Sequence, residues 1–442
     1  MPWLAVAAKR VRTARWSEGT AMTANTPDKT ARALGTTRAL DDPAGSSAHP
    51  PQHRRRERTD AQKRNAEKLL DAMVADCATH GLDDMRSSRV AATAKLTTGA
   101  LYSRYENNDE MLVAMWMERV REPFLAHVAN TVQFVRGTLP RDHAVRFDIE
   151  KPSELIKLGA EFAVVATRND TVGEVVIPDL VATMSANGIT HRCDGLSGAI
   201  GMVGASAAVG TALRAIVTGG NPGWAMALAA LRAAAKHAIA LPHEPLTDDL
   251  APLPINTGNP IRDDLMTSAK RVVARVGFKG ATITRIARRA GFATSAIYQL
   301  WPDKESMLSD AIHEVSLLDF SVNSRSKEEA ATRQRADLGF ADSWYYGLMP
   351  ARRMRLNFRL ECVIASRHHP TTRAIMLRSN DHMDAILRAA FPRMPHSQVT
   401  AIVAMEQSLG YGFVALNKFA PSPQRLDYFS YMASLAALVG RD

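Results

Sequence analysis

Residues 285–305 read RIARRAGFATSAIYQLWPDKE, and the side chains in this stretch that could do chemistry are mainly hydrogen-bond donors. They are hydroxyls, an amide, a phenol and an ammonium, carried by Thr294, Ser295, Gln299, Tyr298 and Lys304. Groups of these types bind phosphate oxygens and base edges. The stretch therefore favours recognition of a polyanion over catalysis.

A looser copy of this stretch, RVAATAKLTTGALYSRYENND, occupies residues 89–109. An offset of 196 residues aligns the two copies without a gap, from Ala78 with Ala274 to Leu112 with Leu308. An ungapped match of this length indicates an internal duplication. We therefore expect two units with the same plan in one chain.

The apolar spacing around the second copy predicts helices. Apolar residues recur three and four apart over 262–276, at Leu265, Ala269, Val272, Val273 and Val276, and Gly277 is expected to end that helix. A short helix over 283–290 should follow, with Thr282 as its N-cap, and another over about 294–300 after a turn at Gly291. Strand patterns are nearly absent, so the fold class is predicted to be all-α.

Two short helices joined by a Gly-containing turn form the helix-turn-helix plan, whose second helix can enter the major groove of DNA. The inward positions are small or apolar: Ile286, Ala287, Ala290, Phe292 and Ile297. The outward positions are polar or short: Thr284, Arg285, Thr294, Ser295, Ala296 and Gln299. The alternative is an unrelated helical pair in which Tyr298 and Trp301 are core aromatic residues.

In its order of residues, the segment from Gly277 to Leu308 resembles the DNA-binding head of the TetR family of bacterial transcriptional regulators. The matching positions are Gly277-Phe278, Thr282, Ile286-Ala287, Ala290-Gly291-Phe292, Ile297-Tyr298, Trp301-Pro302-Asp303-Lys304-Glu305 and Leu308. The resemblance implies that Tyr298 and Lys304 hold phosphates. It also implies that further DNA contacts come from Thr282, Thr284, Arg285, Thr294, Ser295, Ala296 and Gln299, with Leu300 facing the groove.

The early copy departs from this pattern. Arg86 stands at the N-cap position of Thr282, Lys95 at the turn position of Gly291, and Asn108 at the position of Lys304. The first two changes weaken local geometry by about 1 kcal/mol each, and the third removes a phosphate contact. Because Thr97 is a better N-cap than Ala293, the copy is expected to retain DNA contacts, at Ser88, Thr97, Thr98, Gly99, Tyr102, Ser103 and Arg104.

Charge separates the two copies. The chain has a formal net charge of +10, of which residues 1–57 and 260–309 carry +5 each, whereas residues 58–112 carry −1. A cationic segment favours a polyphosphate partner because each neutralised phosphate releases condensed counterions. The alternative is a solvated basic face, which charge alone would favour. We therefore expect unequal DNA contacts within one chain.

These patterns divide the chain into six parts. They are a disordered basic arm (1–57), the first helix-turn-helix head (58–112), a first helical regulatory domain (113–240), a linker (241–260), the second head (261–310) and a second helical regulatory and ligand-binding domain (311–442). Arg54, Arg55 and Arg56 could enter a minor groove, or simply belong to a solubilising tail.

The TetR resemblance also implies how the helical domains work. Members dimerise through their last two long helices, which correspond here to 195–216 and 222–239 in one half and to 398–416 and 424–439 in the other. One chain is therefore expected to form its own pseudo-dimer and to read an asymmetric site. Two chains could still associate further. The effector is expected to be a small hydrophobic molecule, with Trp344, Tyr345, Phe358 and His368 as candidate lining residues, or else ordinary core aromatics.

The resulting prediction is a cytoplasmic, ligand-responsive repressor that binds double-stranded DNA. No catalytic residues, cofactor or metal are expected: Cys77, Cys193 and Cys362 lack metal spacing, and His368-His369 is more typical of a surface pair. The apolar run 196–213 predicts a buried helix and no membrane span. The alternatives are a sensor or interaction protein whose heads no longer bind DNA, and a helical enzyme, which no catalytic motif supports.

Overall fold

A computed structural model describes residues 52–242, 254–316, 352–390, 395–417, 419 and 425–439. Every regular element in these ranges is a helix, and one isolated bridge joins Gly195 to Leu426. The all-α prediction is thereby confirmed. Residues 1–51, much of the predicted linker, Trp344 and Tyr345 lie outside the described residues.

The first half contains ten described helices. They are α1 (Gln52–His80), α2 (Ser87–Ala94), α3 (Thr98–Tyr102), α4 (Asn108–Met115), α5 (Arg121–Arg136), α6 (Val145–Glu150), α7 (Glu154–Val165), α8 (Asp170–Ala186), α9 (Gly195–Thr218) and α10 (Trp224–His237). A π-helical turn over Trp116–Val120 joins α4 to α5. Helix α1 begins inside the segment 1–57, for which the sequence predicts disorder. Residues 52–57 contain several good helix formers and neither Pro nor Gly, so they extend the helix.

The second half repeats this order in its described residues. Its helices are α11 (Pro260–Gly280), α12 (Ile283–Ala290), α13 (Thr294–Leu300), α14 (residues 304–316), α15 (Arg353–Ala365), α16 (Pro370–Ala390), α17 (His396–Leu416) and α18 (Tyr428–Val439). The bounds of α12 and α13 are those predicted from the sequence. Gly277 breaks the helical path of α11, with φ 71° and ψ 175°, as its predicted role requires.

The two halves meet where α9 crosses α17. A Cβ atom on Gly210 would lie 1.7 Å from the carbonyl oxygen of Ser408, and one on Gly412 would lie 2.0 Å from that of Ser206. Any side chain at these two positions would overlap the opposite backbone. The glycines therefore allow the backbones of the two halves to touch.

The last helices of the halves, α10 and α18, complete a four-helix contact with α9 and α17. The Tyr431 hydroxyl donates to the Leu231 carbonyl at 2.8 Å, and the Ser434 hydroxyl donates to that of Ala234 at 3.0 Å. Both α9 and α17 are long and apolar enough to cross a membrane, but both are largely buried within the protein. Their burial identifies them as core helices of this fold.

Candidate nucleic-acid interface

The second head holds its two short helices together through a capped start and a glycine turn. The Thr282 hydroxyl accepts from the backbone N–H of Arg285 at 3.3 Å, which satisfies the first turn of α12. Gly291 ends α12 with φ 80°, a left-handed conformation that glycine adopts without strain. Ile286 and Ile297 are fully buried between the helices. Packing of the buried residues of α12 and α13 therefore fixes the orientation of the outer face of α13.

Most of the predicted DNA contacts of the second head are on its surface. The exposed residues are Thr282, Thr284, Arg285, Thr294, Ser295, Tyr298 and Gln299, while Ala296 and Lys304 are half-buried. Tyr298 is 59% exposed, although it is a large aromatic residue. Trp301, by contrast, is buried and donates its indole N–H to Asp310 at 2.6 Å. The alternative in which Tyr298 is a core aromatic residue is therefore wrong.

The Lys304 ammonium donates to the Phe278 carbonyl at 3.3 Å. This contact holds the Lys304 side chain, at the start of α14, beside the end of α11. Two of the three N–H groups of the ammonium remain for other acceptors. The structure thus fixes the position of the cation at the edge of the head.

The first head has the same arrangement of short helices as the second head, but its turn has a more strained backbone conformation. Lys95 occupies the turn with φ 56°, the one non-glycine residue with positive φ among the described residues. Arg86 makes no side-chain cap at the start of α2, whereas the Thr97 hydroxyl caps α3 by accepting from the Ala100 N–H at 3.1 Å. The predicted contact residues of this head are all exposed: Ser88, Thr97, Thr98, Gly99, Tyr102, Ser103 and Arg104.

Two potential DNA contacts of the first head are already engaged within the protein. The Tyr102 hydroxyl lies 2.7 Å from that of Ser87, whereas Ile283 stands at the position of Ser87 in the second head. The amide of Asn108, at the position of Lys304, donates to the Met85 carbonyl at 3.4 Å. Each group thus already has an internal hydrogen-bond partner, which leaves fewer of its hydrogen-bonding positions for a phosphate.

A matched pair of arginines separates the heads most clearly. Arg89 donates to both carboxylate oxygens of Asp76, at 2.5 and 3.1 Å, and also contacts Asp84. The hydrogen bond that Arg89 donates to Asp76 is the main factor that raises the pKa of Arg89. At the matching position Arg285 is exposed and donates to a neutral carbonyl, that of Gly280, at 2.9 Å. The first head therefore neutralises a cation that the second head leaves unneutralised.

Sequence reasoning missed two exposed cations on α12, Arg288 and Arg289. Arg288 lies four residues after Thr284, and Arg289 lies four residues after Arg285, so they share the outward face of this helix. The sequence signal for these two cations is the adjacent Arg-Arg pair within the helical segment 283–290.

The candidate effector residues are dispersed or lie outside the description. Phe358 is buried on α15. His368 follows α15 and faces the first head, because a Cβ atom on Gly81 would lie 3.5 Å from its Nδ1 atom. Burial lowers the pKa of His368. Within the described ranges, no three His, Cys, Asp or Glu residues form a group that could hold a metal ion.

Comparison with known proteins finds a match to one family model within the second half of the chain. Residues 265–311 match the family model for bacterial regulatory proteins of the tetR family. A crystal structure of a transcriptional regulator from Rhodococcus sp. Rha1 is similar over 40% of this chain and 95% of that chain, with 14% sequence identity and a TM-score of 0.35. No curated protein matches the sequence.

Proposed function

We propose that the chain is a sequence-specific DNA-binding transcriptional regulator, because residues 265–311 match the family model for bacterial regulatory proteins of the tetR family. The observation that carries the proposal is the exposed polar face of α13, fixed on buried Ile286 and Ile297 and flanked by Tyr298 and Lys304. Helix α13 enters the major groove, while the tyrosine and the lysine hold phosphates.

The base-reading set of the second head is Thr284, Thr294, Ser295, Ala296 and Gln299, and its cations are Arg285, Arg288 and Arg289. Short side chains on α13 let the helix approach base edges closely, and the hydroxyl and amide groups supply directional hydrogen bonds. The cations on α12 add affinity that does not depend on sequence, because each one neutralises phosphate charge.

The two heads act as an intrachain pseudo-dimer that reads an asymmetric operator. Support comes from the backbone contact of α9 with α17 and from the hydrogen bonds between α10 and α18, which join the halves as two subunits would be joined. The heads are unequal, since Arg89 is bound to Asp76 while Arg285 is exposed. The second head therefore supplies most of the electrostatic affinity.

The regulatory part of the proposal is repression in the cytoplasm that a small apolar effector relieves. The effector binds the second helical domain, residues 311–442, and no catalytic step is involved. Release of DNA requires that the effector bind the two arrangements of the heads with different affinities. Addition of the effector to a DNA complex should therefore lower the DNA affinity without chemical change of the effector.

A second candidate function is a sensor or interaction protein in which the first head no longer binds DNA. The observations that favour it are the internal hydrogen bond of Tyr102 with Ser87, the ion pair of Arg89 and the strained turn at Lys95. In that case one head would read a single half-site.

Selection of bound fragments from genomic DNA tests the assignment, with the wild type compared with Tyr298→Phe and Tyr102→Phe. Loss of the Tyr298 hydroxyl should weaken binding about fivefold, the equivalent of a hydrogen bond of about 1 kcal/mol. Tyr102→Phe should weaken it less, because that hydroxyl already has Ser87 as its partner.

Each outcome decides between the candidates. If Tyr298→Phe alone weakens binding, the first head is ancillary. If neither substitution does, the phosphate contacts are assigned to the wrong residues. Failure of the wild type to enrich any fragment would reject DNA binding itself.

A further inference from the structure

Two glutamates are buried on α7 and α15, which hold the same place in the helix order of the two halves. Glu161 on α7 is 1% exposed, and Glu361 on α15 is 3% exposed. Each is followed by four buried apolar residues, 162–165 in α7 and 362–365 in α15. A carboxyl group at such a site is retained only when it is paired. The partner of each glutamate is an arginine from the opposite half of the chain.

The first cross-half pair is Arg168 with Glu361. The guanidinium donates through Nε and Nη2 to both carboxylate oxygens, at 2.7 and 3.1 Å. Its other edge donates to both oxygens of Asp83 in the first head, at 3.1 and 2.6 Å. Arg168 therefore ties the first head to the second half with four directional bonds.

The second cross-half pair is Arg367 with Glu161. Arg367 Nε donates to the carboxylate at 2.8 Å, and Nη1 donates to the Ala78 carbonyl at the end of α1, also at 2.8 Å. The other oxygen of Glu161 accepts from the Leu82 N–H at 2.6 Å. An arginine of the second half and a glutamate of the first half thus jointly hold the turn of the first head.

The second head rests on the same charged groups. A Cβ atom on Gly277 would lie 2.9 Å from both Arg168 Cζ and Asp83 Oδ2, so the break within α11 packs directly on that pair. The Lys279 ammonium donates to the Asp83 carbonyl at 2.9 Å. We define Asp83, Glu161, Arg168, Glu361 and Arg367 as the junction cluster, which contacts the turns of both heads.

On the basis of the proposed function, we infer that Arg168 and Arg367 are positioning residues that set the separation of the two recognition helices and so the half-site spacing of the operator. The bonds of the junction cluster are directional, buried and shared between heads and halves. Hinge motion of one head relative to the other would break several of them at once. Without effector, a head pair with one fixed separation accepts one spacing of half-sites, since the spacing is a geometric property of the protein.

The first experiment measures the separation without DNA. Spin labels are placed at Ser103→Cys and Gln299→Cys, both exposed, in a Cys193→Ser background, because Cys77 and Cys362 are buried. Double electron–electron resonance should give one narrow distance distribution for the wild-type junction. The distribution should become about twofold broader in Arg168→Gln/Glu361→Gln and in Arg367→Gln/Glu161→Gln, which remove both charges of a pair together.

The matched control is Arg121→Gln/Asp179→Asn, which removes another bidentate pair, at 2.8 and 2.9 Å, within the first half. It should leave the distribution unchanged. Should a double variant fail to fold, Lys279→Met removes an exposed contact to Asp83 and should broaden the distribution by a smaller amount, with Arg275→Met as its control. Unchanged widths in the foldable junction variants would overturn the inference.

The second experiment measures binding of the unlabelled proteins to a library of half-site pairs with variable spacers. The wild type should prefer one spacing about tenfold over spacings two base pairs away, and the junction variants should lose this preference while keeping the half-site sequence. Retention of the spacing preference by these variants contradicts the inference. Absence of DNA binding by the wild type rejects the proposed function, while the distance measurement still decides whether the cluster fixes the heads.

Discussion

Matched residues of the two heads carry the differences that decide their roles. Lys304 is a cation and Asn108 is not, Arg285 is exposed and Arg89 is ion-paired, and Tyr102 has a hydroxyl partner. Each difference alters the number of donors available to phosphate. The electrostatic share of DNA binding should therefore reside in the second head.

The salt dependence of DNA affinity in single-residue variants tests whether the second head supplies the electrostatic share of binding. Lys304→Gln should lower the slope of log affinity against log salt by about one, because one phosphate contact is lost. Asn108→Lys should raise the slope by about one by adding the contact to the first head. Fluorescence anisotropy across a salt series measures both. An unchanged slope for Lys304→Gln would remove this residue from the interface.

The turn of the first head should be stabilised by a glycine. Lys95 adopts φ 56°, where a Cβ atom is strained, so Lys95→Gly should raise the free energy of unfolding by about 1 kcal/mol. Gly291→Lys in the second head is the reverse change at φ 80° and should lower it by a similar amount. Urea unfolding followed by circular dichroism measures both. A loss of stability in Lys95→Gly would show that the lysine side chain outweighs the strain.

At the scale of elements, the crossing of α9 and α17 depends on glycine. The backbones touch at Gly210 and Gly412, which leaves no room for a Cβ atom on either residue. Packing this close buries backbone atoms that would otherwise contact water or side chains. The crossing is therefore sensitive to single methyl groups.

Gly412→Ala should lower the free energy of unfolding by about 3 kcal/mol, because its Cβ would lie 2.0 Å from the Ser206 carbonyl oxygen. Gly410→Ala is the matched control on the same helix, since no atom lies within 4 Å of its added Cβ. It should raise stability by about 1 kcal/mol through helix propensity. Thermal unfolding compares the two. Equal effects would mean that the crossing relaxes around the added methyl group.

At the scale of the whole molecule, the junction cluster joins heads and halves through buried carboxylates. Burial raises the pKa of Glu361 to about 7, against the opposing effect of Arg168, and Asp83 and Glu161 raise it further. Burial also raises the pKa of Glu161. Because both carboxyl groups hold protons more tightly in the folded chain, folding is favoured where they are protonated.

This cluster predicts a stability that falls as pH rises. Between about pH 4.5 and 7 the unfolded chain has already released the Glu361 proton while the folded chain retains it, so the free energy of unfolding decreases. Glu361→Gln should make this decrease smaller, because glutamine has no proton to release in this range. Urea unfolding at a series of pH values measures it, with exposed Glu174→Gln as the control. If the free energy of unfolding of Glu361→Gln falls with pH as steeply as that of the wild type, other groups cause the decrease.

Local features of the second head were accessible from sequence because they depend on near neighbours. The bounds of α12 and α13, the cap at Thr282 and the break at Gly277 follow from apolar spacing, capping and glycine chemistry within a few residues. The site prediction included Arg285 on the same grounds. It could not include the state of Arg89, whose partner Asp76 is 13 residues away on another helix.

Sequence by itself therefore determined the helical class and the bounds of α12 and α13, since these arise from periodicity and short-range geometry. The duplicated plan and the recognition face stay predictions. Tertiary structure alone decided which cations are neutralised and how the halves are joined. Arg168 meets Glu361 across 193 residues, and Arg367 meets Glu161 across 206. The spacing of apolar and polar residues along the sequence does not specify such contacts, because they form only when helices that are distant in sequence pack against each other.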